Sequence, residues 1–174
     1  NIWIATEDGL NMLDPKTGLF NNYKSENSKN SLKDNNIYNI SYIGTDSLAI
    51  GMLNGGMDIL DLKTKKFTNY KHQPGNKNSI GDNRISHIFE DSKKNIWIST
   101  WTGGINRFDK KTNKFFHYNL NGVRKRKNIT FFSIKEDINN HLWIGSDEGL
   151  FKFNPEDETF TQYIHNNNDN QSIS

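Results

Sequence analysis

Cysteine is absent from the sequence, which excludes a disulfide framework and any thiolate-held metal site. The absence does not fix the compartment, because an exported chain can have none. No apolar run reaches membrane-spanning length and no signal peptide is visible. Charge of one sign is lacking too: a net +2 is too small to argue for nucleic acid as a partner. Hydrophobic residues are scarce, at 33%, with a mean hydropathy of -0.85. Aromatic residues, by contrast, are plentiful at 12%, so the composition is not that of a disordered chain. A polar average rich in rings fits short buried strands separated by long wet loops. The 174 residues are enough for one domain with a sizeable core. They begin at Asn1 rather than methionine, and an excerpt of a longer chain is expected.

Self-similarity is the strongest signal. Asn1-Ile2-Trp3-Ile4-Ala5-Thr6 recurs as Asn95-Ile96-Trp97-Ile98-Ser99-Thr100 and as His141-Leu142-Trp143-Ile144-Gly145-Ser146. A degenerate copy, Ser47-Leu48-Ala49-Ile50-Gly51-Met52, has alanine for tryptophan. From Trp3 to Ala49, Trp97 and Trp143 the steps are 46, 48 and 46 residues. Glycines follow each copy (Gly9, Gly55-Gly56, Gly103-Gly104, Gly149), then a short apolar run closed by a turn such as Asp61-Leu62-Lys63-Thr64. An aromatic pair comes next: Phe20/Tyr23, Phe67/Tyr70, Phe115/Tyr118 and Phe160/Tyr163. Loops rich in Asn, Ser and Lys lead into Ile37-Tyr38-Asn39-Ile40, Ile85-Ser86-His87-Ile88 and Phe131-Phe132-Ser133-Ile134.

Each unit thus holds four strand candidates separated by turn chemistry: glycines for hairpins and Asp-x-x-Thr for Asx-type turns. No amphipathic helix longer than two turns is visible. Four strands per unit at a period in the mid-forties is the arithmetic of a β-propeller. The expected fold is all-β, a propeller fragment of about four blades of four antiparallel strands. We letter the strands of a blade A to D from the axis outward. The Ile-x-x-Ile segments read as A, the Trp segments as B, the Gly-led runs as C and the Phe-x-x-Tyr segments as D. The first blade opens on B and lacks its inner strand. Residues 1–174 form one arc, with repeats of about 1–36, 37–84, 85–128 and 129–174, and belong to a larger ring. An open arc exposes an unpaired edge and two blade faces, so self-association is expected. Trp3, Trp97 and Trp143 should occupy equivalent buried positions between blades.

The combination Leu/Ile-Trp-Ile-Gly/Ser/Ala-Thr/Ser, Gly-Gly-hydrophobic, Phe-Asp and Thr-x-x-Phe-x-x-Tyr resembles the two-component regulator propeller repeat. Asn-Ser-Leu/Ile before strand A and Glu90-Asp91 and Glu136-Asp137 after it belong to the same pattern. The resemblance covers essentially the whole chain. The sequence departs from it at Ala49 and in the third inter-blade loop, where Asn121 to Lys127 replace the Asn-Ser-Ile element. The resemblance implies the periplasmic sensor region of a hybrid two-component histidine kinase, anchored in the inner membrane and often responsive to carbohydrate. It also implies an adjoining β-sandwich domain as a partner, with no direct membrane contact by the propeller itself.

Catalytic signals are weak. There is no His-Glu-x-x-His, no nucleophile elbow and no phosphate-cradling Gly-rich loop. Glu90-Asp91 and Glu136-Asp137 invite a glycosidase reading, but they recur with the repeat, which points to a turn role. No cofactor, metal or nucleic-acid partner is expected, and no enzymatic activity of this fragment. A propeller lyase or glycosidase, and a protein-interaction scaffold, are the competing classes. Candidate ligand residues are those that break the repeat. Trp101 lies in a B–C turn where its equivalents are Glu7, Leu53 and Asp147; it can stack on a sugar ring or fold against a neighbour. Arg124-Lys125-Arg126-Lys127 places four cations in one D–A loop, either solvated or an anion site for an acidic or sulfated saccharide. His87, on an A strand, can face the axis or be a hydrogen-bonded strand histidine. An oligosaccharide is the expected ligand, and Trp101 and the basic loop are expected on one face.

Overall fold

The computed structural model describes residues 1–118, 120 and 129–173. Its strands form four antiparallel meanders, paired in chain order. The first is β1 (Ile2–Thr6), β2 (Gly9–Leu13) and β3 (Phe20–Tyr23). The second is β4 (Ile37–Ile43), β5 (Ser47–Met52), β6 (Met57–Asp61) and β7 (Phe67–Tyr70). The third is β8 (Ile85–Glu90), β9 (Ile96–Thr100), β10 (Ile105–Asp109) and β11 (Lys114–Tyr118). The fourth is β12 (Phe131–Glu136), β13 (Leu142–Ser146), β14 (Gly149–Asn154) and β15 (Thr159–Tyr163). The first sheet has three strands and the others four, as the repeat requires.

Turn chemistry sets these boundaries. Asp14, Asp61 and Asp109 each accept the amide two residues on, and Asn154 does the same for Glu156. These are the expected Asx turns between strands C and D. The glycine that opens strand C has a second reason to be glycine. Gly9, Gly56 and Gly149 all have positive φ, and a Cβ there would strike the carbonyl of Tyr23, Tyr70 or Tyr163 at the end of strand D.

Apolar side chains from facing sheets fill the space between them. One cluster joins Leu10 to Leu48, Ile50 and Leu60; the next joins Ile59 to Ile85, Ile98 and Phe108; the third joins Trp97 and Ile105 to Phe131, Ile144 and Phe153. The inner strands pack in series, β4 on β8 and β8 on β12. Each carries a bulge near its start, between Ile37 and Asn39, Ile85 and His87, and Phe131 and Ser133. The bulge re-aims the residues that follow.

Two hydrogen bonds recur between successive inner strands. Ile88 N donates to Asn39 Oδ1 at 2.9 Å, and one blade on, Ile134 N donates to His87 Nδ1 at 3.2 Å. Gly44 N donates to a Glu90 carboxylate oxygen at 2.5 Å, and Ser92 N and Oγ donate to Glu136 at 2.8 Å. Each glutamate therefore caps the A–B turn of the preceding blade. The aspartates serve their own turns. Asp91 accepts Asn95 N and the Trp97 indole N–H, and Asp137 accepts His141 N and the Trp143 indole N–H.

The second blade lacks both partners of that Asp–Trp bond at once. Register places Ile43 where Asp91 stands and Ala49 where Trp97 stands, and both are buried in one cluster. Replacing donor and acceptor together leaves no buried polar group unpaired. The expectation of three equally buried tryptophans needs correction. Trp97 is 1% exposed, packed on Tyr118 and Phe153, whereas Trp3 and Trp143 are half-buried. The three share strand B, but Trp143 stacks on Tyr163 of its own blade. Trp3 sits on β1, whose Ile2 and Ile4 are exposed at the edge without an inner strand.

Candidate functional site

At the end of the arc where B–C turns meet D–A loops, the blade-three turn Trp101-Thr102-Gly103 lies on the loop that leads into β8. Trp101 N donates to Arg84 O at 3.0 Å, and Thr102 N donates to Asp82 Oδ2 at 3.1 Å. Asp82 is the hub. It accepts Arg84 Nη2 at 2.8 Å and the Thr102 hydroxyl, while the same Nη2 reaches Thr102 Oγ1 at 2.9 Å. Burial alone would push the Asp82 carboxyl up, but the bonds from Arg84 and Thr102 outweigh it and hold it below the usual carboxylate range. The guanidinium, fixed in this way, stands 5.7 Å from the Trp101 ring centroid. On another side Tyr38, from the bulge of β4, meets the indole edge-on at 6.1 Å and 82°.

The result is a half-buried indole held between a cation and a phenol, with Tyr38 itself 55% exposed. The arrangement offers apolar ring surface beside N–H and O–H donors, a combination suited to the C–H face and hydroxyls of a sugar. Phe132, at the equivalent bulge of β12, is 54% exposed, so large rings recur at this level of the inner strands. Neither Tyr38 nor Phe132 stands out in the sequence, because each follows the apolar residue that opens an A strand. The usable signal was that Ser86 holds the same position in the blade between them.

His87 is brought into a different role. Its Nδ1 accepts the Ile134 amide, the same inter-blade bond that Asn39 makes one blade earlier. That bond requires the neutral ring with its proton on Nε2. Burial, then the charge of Lys135, pushes the His87 pKa down. Arg124, Lys125, Arg126 and Lys127 lie outside the described residues; on either side of them Leu120 and Ile129 are buried in the cluster between blades three and four. Glu90 and Glu136, the residues of the glycosidase reading, are engaged with the Gly44 and Ser92 amides of neighbouring turns.

Four meanders packed in series, sharing one repeat and one order of strands, define an arc of a β-propeller. Residues 79–102, from the Ser79-Ile80 element to the B–C turn of blade three, match the family described as "Two component regulator propeller".

Among solved structures, the chain is similar to the extracellular domain of the hybrid two-component system BT3049 from B. thetaiotaomicron. The TM-score is 0.83 at 26% identity, over 94% of this chain and 23% of that one. It is also similar to the extracellular domain of BT4673 from the same organism, with TM-score 0.64 and 18% identity over 99% of this chain and 27% of that one. A third likeness is to PorZ, described as an essential bacterial surface component of the type-IX secretion system of Porphyromonas gingivalis. Its TM-score is 0.61 at 13% identity, over 92% of this chain and 25% of PorZ. At their identities, the last two carry the fold alone. The chain spans about a quarter of the structures it resembles, and no curated protein matches it.

Proposed function

We propose that this arc is part of the extracellular sensor propeller of a hybrid two-component regulator, and that it takes part in recognising a carbohydrate. Its four repeats are four blades of a larger ring, whose other blades and adjoining domain are its partners. The parent is a histidine kinase that presents the propeller to the periplasm. The observation that carries the reading is the likeness to the BT3049 extracellular domain along nearly the whole chain, together with the repeat at 79–102. The ligand surface is the end bearing Trp101, with Tyr38 and Arg84 beside it, and the cationic run Arg124 to Lys127 is assigned to the same ligand from its sequence. A ligand held there shifts the balance between relative positions of the blades and the next domain, by as much as its affinity differs between them.

Titration calorimetry on the intact sensor tests this with neutral and acidic oligosaccharides. Trp101→Ala should weaken both classes by about tenfold or more, since a lost ring contact is worth roughly 1–3 kcal/mol. Neutralising Arg124 to Lys127 should weaken only acidic ligands, and only at low salt, because screening limits exposed charges to about 8 Å at physiological ionic strength. Unchanged affinity in both variants would refute this surface.

A further inference from the structure

A second site is suggested where blade three departs from its sister blades. Across each blade, strand C presents one side chain beside the strand-B tryptophan position: Met12 opposite Trp3, Ile59 opposite Ala49, Arg107 opposite Trp97 and Lys152 opposite Trp143. Lys152 lies over its tryptophan ring. Arg107 instead lies over Phe116, 5.0 Å from the ring centroid, where the equivalent residues are Asn21, Thr68 and Thr161.

Four lysines from two turns surround it: Lys93 and Lys94 from the A–B turn, Lys110 and Lys111 from the C–D turn. At the matching five positions the second blade has Thr45, Asp46, Ile59, Leu62 and Lys63, and the fourth has Asn139, Asn140, Lys152, Pro155 and Glu156. Each sister blade thus has one cation where blade three has five. Together the five line a groove of about 440 Å³, at the end of the arc opposite Trp101.

Available charge in the groove centres on Arg107. Its Nη1 reaches Asn95 Oδ1 at 3.4 Å, the guanidinium also donates to the Tyr118 phenol oxygen, and its buried Nε has no partner. Among the described residues it makes no ion pair. Asp109, the acid in the lining, is occupied by Lys111 N and by Thr112 N and Oγ1. Lys110 Nζ turns to Ser47 Oγ at 3.0 Å. Lys93 and Lys94 pair with Glu156 and Glu90 at 2.9 Å, with lysine side chains 52% and 75% exposed, so these contacts are exchangeable at small cost. A half-buried guanidinium whose Nε is buried without a partner, and with no acid beside it, gains from a group that pairs with it.

We infer that this groove binds an oxyanion, a carboxylate or sulfate, with Arg107 as the forked donor and Lys111 as an outer charge. The planar guanidinium fits either group through paired N–H bonds. The same chemistry can arrive as a free ion or as the acidic group of a saccharide. The site is independent of the Trp101 surface and stands or falls without it.

Nuclear magnetic resonance of the 174-residue chain tests it, following the Arg107 Nε–H during titration with inorganic sulfate, galacturonate and galactose. Sulfate and galacturonate should give saturable shifts and galactose none. Tighter binding of galacturonate than of sulfate assigns the site to an acidic saccharide; the reverse order assigns it to a free anion. Arg107→Met should weaken anion binding about tenfold or more, as loss of a charge-assisted pair does. Its binding is followed through the Lys111 and Phe116 amides, and its fold should be kept, since Met12 occupies the same register position. Lys111→Gln, on an exposed turn, should weaken binding a few-fold and provides the test if the methionine variant fails to fold. Absence of a saturable shift, or equal affinity in both variants, would overturn the inference.

Discussion

Asp58 should make the protein less stable as pH rises through the mildly acidic range. This carboxyl is 0% exposed on β6, where it accepts Lys33 N at 3.1 Å and Asn69 Nδ2 at 2.8 Å. Burial pushes its pKa from 3.8 to about 6, and the two bonds only partly offset the rise. The folded state therefore binds the proton more readily than the unfolded chain. The stability tied to that proton is complete below the unfolded value of 3.8 and is lost as pH rises through about 6. At roughly 1.4 kcal/mol per tenfold, the loss amounts to about 3 kcal/mol.

Register gives the control for this position. Asn106 replaces Asp58 one blade on and accepts Gly81 N at 3.0 Å. In the first blade the pair is Asn11 with Asn22, which donates to it. Two amides thus fit where Asp58 and Asn69 meet, and Asp58→Asn keeps one acceptor oxygen for these donors while removing the buried charge. Urea unfolding of both proteins at pH 4 and pH 7.5 measures the effect. The stability difference should move in favour of the variant by about 2–3 kcal/mol between the two conditions. A difference independent of pH would refute the assignment of a buried, titrating carboxyl.

Trp97→Ala should cost about 3–5 kcal/mol and Trp143→Ala clearly less, because Trp97 is enclosed by the next blade while Trp143 stays half-buried; denaturant unfolding checks this, and equal losses would contradict the packing. The His87 pKa is pushed down by burial and by Lys135, so the stability tied to its neutral ring is present above pH 6.5 and lost as pH falls through the folded value. His87→Asn, which imitates Asn39, should remove that acid-side loss while keeping the bond to Ile134, as a thermal midpoint that stays flatter between about pH 7 and 5 would report.

The blades were legible because a period in the forties, Asx turns and strand-opening glycines are all local signals, and every copy confirms the others. Bonds between blades were not. The partner of Glu90 is a backbone amide 46 residues away, and that of His87 is 47 away. No side-chain motif announces a bond to a backbone. Ala49 was visible as a departure, yet its sense depends on Ile43, which register alone brings opposite the same turn. The equal burial expected for three tryptophans failed because burial depends on which sheet stands next, not on the repeat. Charge showed the same divide. Arg124 to Lys127 stand out as a contiguous run, whereas Lys93, Lys94, Arg107, Lys110 and Lys111 are scattered among polar turns and converge only on folding.

The paired links from Asn39 to Ile88 and from His87 to Ile134, with Glu90 and Glu136 reaching back, all run between immediate neighbours at matching positions. Each blade asks of its predecessor what its successor asks of it. A gene segment encoding one such unit can therefore be duplicated, deleted or exchanged without redesigning the joint, since both sides of the cut present the same socket. Changes that respect the joint stay confined to one unit, which leaves each blade free to diverge in its turns. The accumulation of five cations in the third blade, where its sisters have one each, is the kind of private variation that such a uniform joint permits.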